Sequence, residues 1–481
     1  MRALFVTNQL KTAFYEAVAS RMRAEGAQMF WVSVSNRWTR FLLDKGWPRA
    51  SILSLPDFGA EWAGPFSPTP EDEARIARIE ASAEVGLNNI LIMDRGLNKR
   101  EGLSTRAWAY VAAREIERFV LANDVRFGFG EMTWAPEMFV SEILRAHNRR
   151  YFMHHTVRIP SARVAFFEGV FHDGIAELGP ILPEHRDIAR AAICAVRDRG
   201  ERPYYFTRNM NPHRLRPHWL DEFRRALTRG EENSFDHTVP SLANRIKGRV
   251  VGRALASLSR SNVAFERAPA TSDRPFVLVT LHKQPESSVD VMGDSRNNQL
   301  ECIRALTRLL PFGWEIWVKE HSHALGDRDA RWYRELKTLP GLRLIDPYED
   351  TMALIRRASL VASVAGTACL EAAILGVPAI TFARMLWRPI LLRDDFDPFG
   401  TSRAEMRALL AEAERMPRDP ARARRVEDFV TSLVANSFEA SISDPVNDPA
   451  CLAQDNIGKA AEATLRLLRS AAAPKALPRA A

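Results

Sequence analysis

The fold class is indicated most clearly by Leu360-Val-Ala-Ser-Val-Ala-Gly-Thr-Ala-Cys-Leu-Glu-Ala-Ala-Ile-Leu-Gly-Val-Pro-Ala-Ile-Thr381. It contains a short apolar run, a Gly-Thr turn, an apolar helical segment with one carboxylate, and a second apolar run, an order that predicts a parallel strand-helix-strand unit. A helix beginning near Thr367 would direct free backbone N–H groups at an anion held in the turn. Glu371, one turn further along the same face, could reach a neighbouring hydroxyl.

Composition and charge bound the class of protein. The chain has 481 residues, of which 46% are hydrophobic and 26% charged, which is typical of a soluble globular protein with two or more domains. Its net charge of +8 suits an anionic substrate, an acidic membrane face or nucleic acid. The four cysteines lack metal-ligand spacing, which predicts reduced thiols in a cytosolic protein. No apolar run approaches the ~20 residues of a membrane span.

Apolar runs alternate with helical patterns in two series, separated by the linker Ala268-Pro-Ala-Thr-Ser-Asp-Arg-Pro275. Two such series predict an α/β protein with two Rossmann-like domains facing across a cleft and a helical insertion or connector between them. The expected boundaries are 1–180 for the N-terminal Rossmann-like domain, 181–267 for the helical subdomain or connector, 268–450 for the C-terminal Rossmann-like domain, 451–470 for a terminal helix that packs back, and 471–481 for a flexible tail.

In the first series, polar residues follow the apolar runs. Glu131 comes after the run ending at Gly130, His155 ends Tyr151-Phe-Met-His-His155, and Asp94 follows a strand predicted at Asn89 to Met93. Open α/β sheets bind ligands at the carboxyl ends of their strands. Deprotonation of an acceptor hydroxyl there requires a carboxylate or an imidazole, so Glu131 is the first choice as catalytic base, with His155 or Asp94 behind it. Each is equally compatible with an ordinary hydrogen-bonded residue at a strand end.

Three loops of the second series are predicted to meet at one sheet edge. They run from His282 to Asp290, from Lys319 to His323, and through Gly366-Thr367. Hydroxyl, amide and cationic groups suit phosphate, carboxylates suit sugar hydroxyls, and a histidine can donate to a leaving phosphate. The predicted donor-binding residues are His282, Lys283, Glu286, Ser287, Lys319, Glu320, Ser363, Gly366, Thr367 and Glu371, with His321 as a catalytic residue. The alternative is that these are ordinary turn residues of a βαβ unit.

The same three loops have a sequence pattern that resembles a known protein family. The runs are Leu281-His-Lys-Gln-Pro-Glu-Ser-Ser-Val-Asp290, Trp317-Val-Lys-Glu-His-Ser-His-Ala-Leu-Gly-Asp-Arg328 and Val364-Ala-Gly-Thr-Ala-Cys-Leu-Glu-Ala-Ala-Ile-Leu-Gly-Val-Pro378. They resemble the bacterial capsule polysaccharide biosynthesis family of GT-B-fold glycosyltransferases, which includes Kdo transferases. The family often has Pro where this chain has Ser322, and an aromatic-Gly pair where it has Phe382-Ala383.

The resemblance implies a role for individual residues of the second series. His321 and the Gly366-Thr367 turn would hold the phosphate of the donor, and Glu371 its nucleoside. Glu320 would orient His321, while Glu286 and its loop would face the donor.

What the resemblance implies overall is a GT-B-like glycosyltransferase at the cytoplasmic face of the inner membrane. Its co-substrate would be a CMP-, UDP- or GDP-linked sugar, and its acceptor a glycolipid or polysaccharide of the cell surface, with peripheral membrane contact. No tightly bound cofactor or metal is expected, because Asp327-Arg-Asp329 should cap the next helix. Nucleic-acid binding is not expected, since the basic residues lack interleaved aromatics. A sugar-nucleotide epimerase and a non-catalytic component of a polysaccharide assembly complex remain the alternatives.

Overall fold

The computed structural model describes residues 1–99, 102–202, 237–238, 264–269, 271–325 and 327–472. The strands are β1 (Arg2–Val6), β2 (Gln28–Ser33), β3 (Ile52–Ser54), β4 (Phe127–Gly130), β5 (Arg150–Thr156), β6 (Arg163–Glu168), β7 (Phe276–Thr280), β8 (Glu315–Lys319), β9 (Leu342–Ile345), β10 (Leu360–Ser363), β11 (Ala379–Thr381) and β12 (Phe438–Glu439).

The helices of the described residues surround these strands. They are α1 (Thr12–Ala24), α2 (Asn36–Asp44), α3 (Gly59–Ala63), α4 (Pro70–Ser82), α5 (Leu87–Met93), α6 (Gly102–Ala122), α7 (Ala135–Ala146), α8 (Pro183–Arg199), α9 (Ser287–Asp290), α10 (Gln299–Leu309), α11 (Ala330–Lys337), α12 (Thr351–Arg357), α13 (Thr367–Ile374), α14 (Arg403–Arg415), α15 (Ala421–Ala435) and α16 (Gln454–Ala472). None of these helices is long and apolar enough to cross a membrane.

The first sheet has the strand order β12-β6-β5-β4-β1-β2-β3. Strands β3, β2, β1, β4 and β5 are parallel, whereas β6 and β12 pair antiparallel at one side. The central strand β1 is apolar and buried from Ala3 to Val6, as expected for a parallel strand covered by helices on both faces. We call this sheet and its helices the first unit.

The second sheet is parallel throughout, in the order β11-β10-β7-β8-β9. Counted within each unit, the parallel strands of both sheets follow the Rossmann order 3-2-1-4-5. The order reverses between β1 and β4 in the first unit and between β7 and β10 in the second unit, and residues after all four strands line one cleft or its immediate wall. The predicted α/β, GT-B-like fold with two Rossmann-like domains across a cleft is confirmed.

The chain passes between the two units more than once. Helix α8 packs on α15 of the second unit, with Arg186 Nη1 2.9 Å from Glu427 Oε1. Residues 237–238 then contact the first unit, where His237 Nε2 lies 3.1 Å from Asp94 Oδ2. Strand β12 joins the first sheet, and α16 packs on α1, so the chain returns to the first unit before residue 450. Most of the predicted helical connector 181–267, with its basic clusters, and the tail from 473 onward lie outside the described residues.

One predicted strand is wrong. Residues Asn89 to Met93 belong to α5, not to a sheet. Leu87, Ile90 and Leu91 are buried while Ile92 is 61% exposed, which is the i, i+3, i+4 spacing of a helix packed along one side. The run was too short for its apolar residues to distinguish the two periods. Asp94 therefore follows a helix, and it does not lie at the carboxyl end of a strand.

Candidate active site

A cleft of about 350 Å³ lies between the carboxyl ends of the two sheets. The first unit contributes Glu131, Met132, Thr133, Met153, His155, Arg158 and His172. The second unit contributes residues from the ends of β7, β8 and β10, namely Thr280 to His282, Glu286 to Ser288, Lys319 to Ser322, Ser363, Ala365 to Ala368 and Glu371. All predicted site residues except Lys283 and Asp94 line this cleft. The three predicted loops of the second unit do converge, although the role of each residue stays a prediction.

Helix α13 begins at the cleft with an uncapped N-terminus. Gly366 occupies the N-cap position, and no side chain caps the helix. The first amide groups of a helix have no partner within it, so Gly366, Thr367 and Ala368 present N–H donors to the cleft. A Cβ at Gly366 would lie 2.5 Å from Ser363 Oγ, so the close approach of this turn to β10 requires glycine. These N–H groups can donate hydrogen bonds to an anion, as the sequence predicts for this turn.

His282 and Ser363 hold the turn in place. The Ala365 N–H donates to His282 Nε2 at 3.1 Å, so the proton of this ring lies on Nδ1. Burial, and then electrostatic coupling to His321 and Arg328, lowers the pKa of His282 to about 3, and the ring is neutral. Ser363 Oγ donates to the Thr280 carbonyl at 2.9 Å and accepts from Thr280 Oγ1 at 3.1 Å. Both side chains support the turn with the groups that were expected to face a ligand.

Glu320 organises the loop after β8 from inside the protein. Its fully buried carboxylate accepts from Arg328 Nη1 at 2.8 Å and from the Tyr333 hydroxyl at 2.7 Å. It also accepts from the backbone N–H of His321 at 2.6 Å. Arg328 in turn donates to the His282 carbonyl, which joins this loop to the loop after β7. Glu320 thus positions His321 through the backbone, and no contact to its ring is required.

The hydrogen bonds of His321 define which nitrogen faces a ligand. Its Nδ1 accepts from the backbone N–H of His323 at 3.2 Å, so the proton of the neutral ring lies on Nε2. Burial, and then the charges of His323, Lys319 and Lys283, lowers the pKa of His321 to about 4. At neutral pH this ring is therefore an uncharged N–H donor in the wall of the cleft.

Buried charges lie at the other end of the second-unit wall. The Glu371 carboxylate is buried, and burial raises its pKa to about 7. Among the described residues, none donates a hydrogen bond to it. Lys319 is also buried, and its Nζ donates to the Pro347 carbonyl at 2.7 Å, while burial lowers its pKa to about 8. Glu371 is therefore available as an acceptor, and one of the three N–H donors of Lys319 is used by the backbone.

The remaining predicted residues lie toward the opening. Glu286 and Ser287 line the cleft at the start of α9. Lys283 lies outside it, with Nζ 4.0 Å from Asp327 Oδ2. Asp329 accepts from the Trp332 N–H at 2.8 Å and caps α11, as predicted. Over the described ranges, no cluster of three or more His, Cys, Asp or Glu side chains could hold a metal ion.

The first-unit wall presents the carboxylate of Glu131 and the imidazoles of His155 and His172. Glu131, directly after β4, pairs with Lys11 and lies 3.4 Å from the Tyr15 hydroxyl. His155 Nδ1 lies 3.2 Å from both Arg158 Nη1 and the Thr156 carbonyl, which favour opposite tautomers of the ring. Burial, reinforced by Arg158, holds the pKa of His155 well below its usual value. The ring of His155 is therefore neutral at physiological pH, and its role as a base stays a prediction.

Asp94 is excluded as a base by its surroundings. Its carboxylate is fully buried and does not line the cleft. Burial alone would raise the pKa of Asp94, but His237 and the backbone N–H groups of Ala135 and Leu97 lower it below the usual value. Asp94 connects α5, α7 and residue 237. This structural role could not be predicted from the sequence, because residues 89–93 were assigned to a strand.

Sequence reasoning missed three basic residues of the cleft, which are Arg158, His172 and Arg202. Arg158 follows the parallel strand β5, so the rule that ligands bind at strand ends could have found it. His172 follows β6, which runs antiparallel and ends at the other edge of the sheet, so the same rule does not lead to it. Arg202 follows α8 and reaches the cleft from outside both sheets, with Nη2 3.3 Å from Asp350 Oδ1. No local pattern in the sequence indicates such an approach.

The known structures to which this chain is similar are distant from it in sequence and in structure. No protein-family model and no curated protein matches it. It is similar to the KpsC beta Kdo 2,4 transferase of Thermosulfurimonas dismutans at 16% identity and a TM-score of 0.33, covering 59% of this chain and 78% of that one. It is also similar to the UDP-GlcNAc 2-epimerase of Methanocaldococcus jannaschii at 12% identity and a TM-score of 0.27, covering 97% and 99%. Likenesses of this size carry no conclusion about the reaction.

Proposed function

We propose that the protein is a glycosyltransferase that uses a nucleotide sugar as its donor. The observation that carries the proposal is the uncapped N-terminus of α13, which opens into a cleft whose opposite wall belongs to a second Rossmann-like unit. Free amides at a helix N-terminus favour phosphate. A cleft between two such units can hold a nucleotide on one side and a second substrate on the other.

The donor phosphate would lie against the amides of Gly366, Thr367 and Ala368. As the bond between the sugar and the phosphate oxygen breaks, its electron pair moves to that oxygen and negative charge develops there. His321, with its proton on Nε2, would donate a hydrogen bond to this oxygen without changing its own charge state. Glu371, which lacks a donor among the described residues, would accept hydrogen bonds from the nucleoside sugar.

On the first-unit wall, Glu131 is the proposed general base. It would take the proton of an acceptor hydroxyl while the hydroxyl oxygen bonds to the anomeric carbon of the transferred sugar. Lys11 and Tyr15 hold the carboxylate at the wall of the cleft. His155, a neutral imidazole beside Arg158, would contact the same acceptor.

The finer assignments belong to the same proposal. The donor is a CMP-, UDP- or GDP-linked sugar, and the acceptor is a capsular or other cell-surface polysaccharide or glycolipid. Such an acceptor would be met at the cytoplasmic face of the inner membrane, through peripheral contact. Support for these assignments comes from the resemblance of the three loops to the capsule polysaccharide biosynthesis family.

The test is incubation of the purified protein with CMP-, UDP- and GDP-sugars, with and without lipid-linked oligosaccharide from a capsulated bacterium. We expect release of nucleotide that depends on the acceptor and falls ~100-fold in His321→Ala. His185→Ala, at the start of α8 and outside the cleft, is the matched control. An epimerised nucleotide sugar formed without acceptor would identify an epimerase. Unchanged turnover and donor binding in both His321→Ala and Glu371→Ala would favour a non-catalytic role.

A further inference from the structure

A polar groove of about 400 Å³ lies on the first unit, and its residues are distinct from those of the cleft. We call it the distal groove. The loop between β5 and β6, the end of β12 and the chain from there into α16 form its walls, through Ser161, Ala162, Glu439, Ala440, Ser441, Asp448, Asn456 and Lys459. Its volume is within the range of ~300–1,000 Å³ that is typical of ligand pockets. The distal groove is therefore a second candidate binding site.

The register of the first sheet places the distal groove next to the cleft. Thr156, Val164 and Phe438 form one row across β5, β6 and β12. Strands β5 and β12 run in the same direction, because both pair antiparallel with β6. Their carboxyl ends therefore lie at the same sheet edge, two strand spacings or about 10 Å apart. Arg158 of the cleft follows β5 at this edge, and Glu439 of the groove ends β12 there.

One loop contributes to both sites. In the connection from β5 to β6, Arg158 lines the cleft, and Ser161 and Ala162 line the distal groove. The Ala440 N–H donates to the Ala162 carbonyl at 3.2 Å, which fixes this loop to the chain after β12. Arg158 and Ala162 have φ of 73° and 60°, a left-handed conformation that is uncommon outside glycine and is found more often at ligand sites. A ligand that extends from the cleft past Arg158 thus reaches the distal groove over a fixed loop.

The walls of the distal groove carry groups that suit hydroxyls. Asp448 is buried and accepts from the Ser441 hydroxyl at 2.5 Å. The side chains of Glu439 and Lys459 are 71% and 46% exposed at the rim. Lys459 uses one of its three N–H donors within α16, and Glu439 Oε1 lies 3.7 Å from Arg163 Nη1. The two carboxylates and the two cations balance, so the groove suits a neutral ligand rich in hydroxyl groups better than an anion.

We propose that the distal groove binds neutral sugars of an oligosaccharide acceptor whose reacting sugar lies in the cleft beside Glu131. The inference rests on the proposed function, because that function assigns the acceptor to the first-unit wall. The acceptor would pass Arg158 and the loop between β5 and β6, a span of about 10 Å that a disaccharide bridges. The preferred acceptor is then an oligosaccharide, and a single sugar is a poor substitute because it cannot fill both sites.

The experiment compares acceptors of different length. Oligosaccharide is released from the lipid-linked acceptor, cut with mild acid and separated by size, and kcat/KM for transfer from the nucleotide sugar is measured for each fraction. In the wild type we expect kcat/KM to rise ~10-fold from the single sugar to the longer fractions, mainly through a lower KM, because the groove adds hydrogen bonds. In Lys459→Ala the value for the longer fractions should fall about fivefold, and the value for the single sugar should not change.

Two further variants make the result specific. Glu439→Ala should cause the same loss, confined to the longer fractions. Asp455→Ala breaks the ion pair of Lys459 from a residue outside the groove, and should leave every fraction unchanged. Equal kcat/KM for all fractions in the wild type, or an equal loss for short and long fractions in folded Lys459→Ala, would overturn the role of the groove and leave the transferase proposal standing. Wild-type protein that transfers sugar to no fraction would overturn both proposals.

Discussion

Helices α7 and α13 occupy equivalent places in the two units, each following the strand beyond the switch point, yet their N-termini differ. At α7, Glu137 accepts from the Thr133 and Trp134 N–H groups at 3.0 and 2.7 Å, and Asp94 accepts from Ala135 at 2.7 Å. At α13, glycine occupies the N-cap position and the amides face the cleft. The first unit fills its anion site with its own carboxylates, and the second leaves it open. Identical strand orders can therefore carry different functions, because a few side chains decide whether a helix end is available.

Closing the open N-terminus of α13 should have the largest effect, which is on nucleotide affinity. In Gly366→Ala the new Cβ would lie 2.5 Å from Ser363 Oγ, so the turn must shift and the amides lose their alignment. Charge-assisted hydrogen bonds are worth about 1.5–3 kcal/mol each, so nucleotide affinity should fall ~100-fold in a calorimetric titration. Gly458→Ala on α16, where a Cβ meets nothing within 4 Å, is the control and should leave affinity unchanged. If Gly366→Ala binds the nucleotide with wild-type affinity, the phosphate does not bind at this turn.

Opening the closed end should cost stability and leave nucleotide binding intact. Glu137→Ala strips the partners from the Thr133 and Trp134 amides and from Asn8. We expect a loss of about 2 kcal/mol in the free energy of unfolding, measured by urea denaturation, because buried donors would be left unpaired. Glu405→Ala, in the exposed capping box of α14, is the matched control and should cost about 0.5–1 kcal/mol. Equal costs in the two variants would contradict the view that α7 depends on its buried carboxylate.

Both units also bury neutral histidines, which predicts acid sensitivity. Burial lowers the pKa of His154, on β5, to about 3, which is below the unfolded value near 6.5. The unfolded chain therefore binds more protons between these values, and stability falls as the pH drops from about 6.5 toward 3. His154→Phe, placed among Phe5, Phe129 and Phe166, should reduce the loss between pH 7 and pH 5 by about 2 kcal/mol. An unchanged pH slope of urea denaturation would show that His154 does not contribute.

The smallest effect concerns the pH dependence of nucleotide binding. With a pKa of about 7, Glu371 becomes ionised as the pH rises from 6 to 8, so it should accept ribose hydroxyls more strongly at the upper end. The ratio of wild-type to Glu371→Gln affinity for UMP or CMP should rise about fivefold over this range. Glu371→Gln is the internal reference because it keeps the shape of the side chain and cannot ionise. A ratio that stays flat would mean that the carboxylate does not contact the ribose.

Local sequence pattern was sufficient for most of the fold. The strand-helix-strand unit at 360–381 was predicted closely, with β10 at Leu360–Ser363, α13 beginning at Thr367 and β11 at Ala379–Thr381, because its apolar runs are bounded by clear turn residues. The segment Asn89 to Met93 failed, because five mostly apolar residues fit a strand and a one-sided helix equally well. The return of β12 to the first sheet is a long-range pairing, which periodicity cannot reveal.

The candidate site also has a part that the sequence could predict and a part that it could not. The convergence of the three loops follows from strand order, so it could be predicted from the sequence. The hydrogen-bond partner of each side chain could not be predicted, because it comes from a distant part of the chain. His282 accepts from Ala365, and Glu320 is held by Arg328 and Tyr333. Arg202 reaches the cleft from beyond α8, a placement that only the folded chain shows.

The central claim is that, of the two equivalent helices α7 and α13, α13 offers an open N-terminus to phosphate and α7 does not. Crystals of the protein grown with UMP, CMP or GMP test it most directly, because the position of the phosphate is observed. We expect the phosphate within hydrogen-bonding distance of the Gly366, Thr367 and Ala368 amides, with His321 Nε2 donating to it and the N-terminus of α7 still filled by Glu137. Phosphate bound at α7, or bound in the second unit away from α13, would contradict this account.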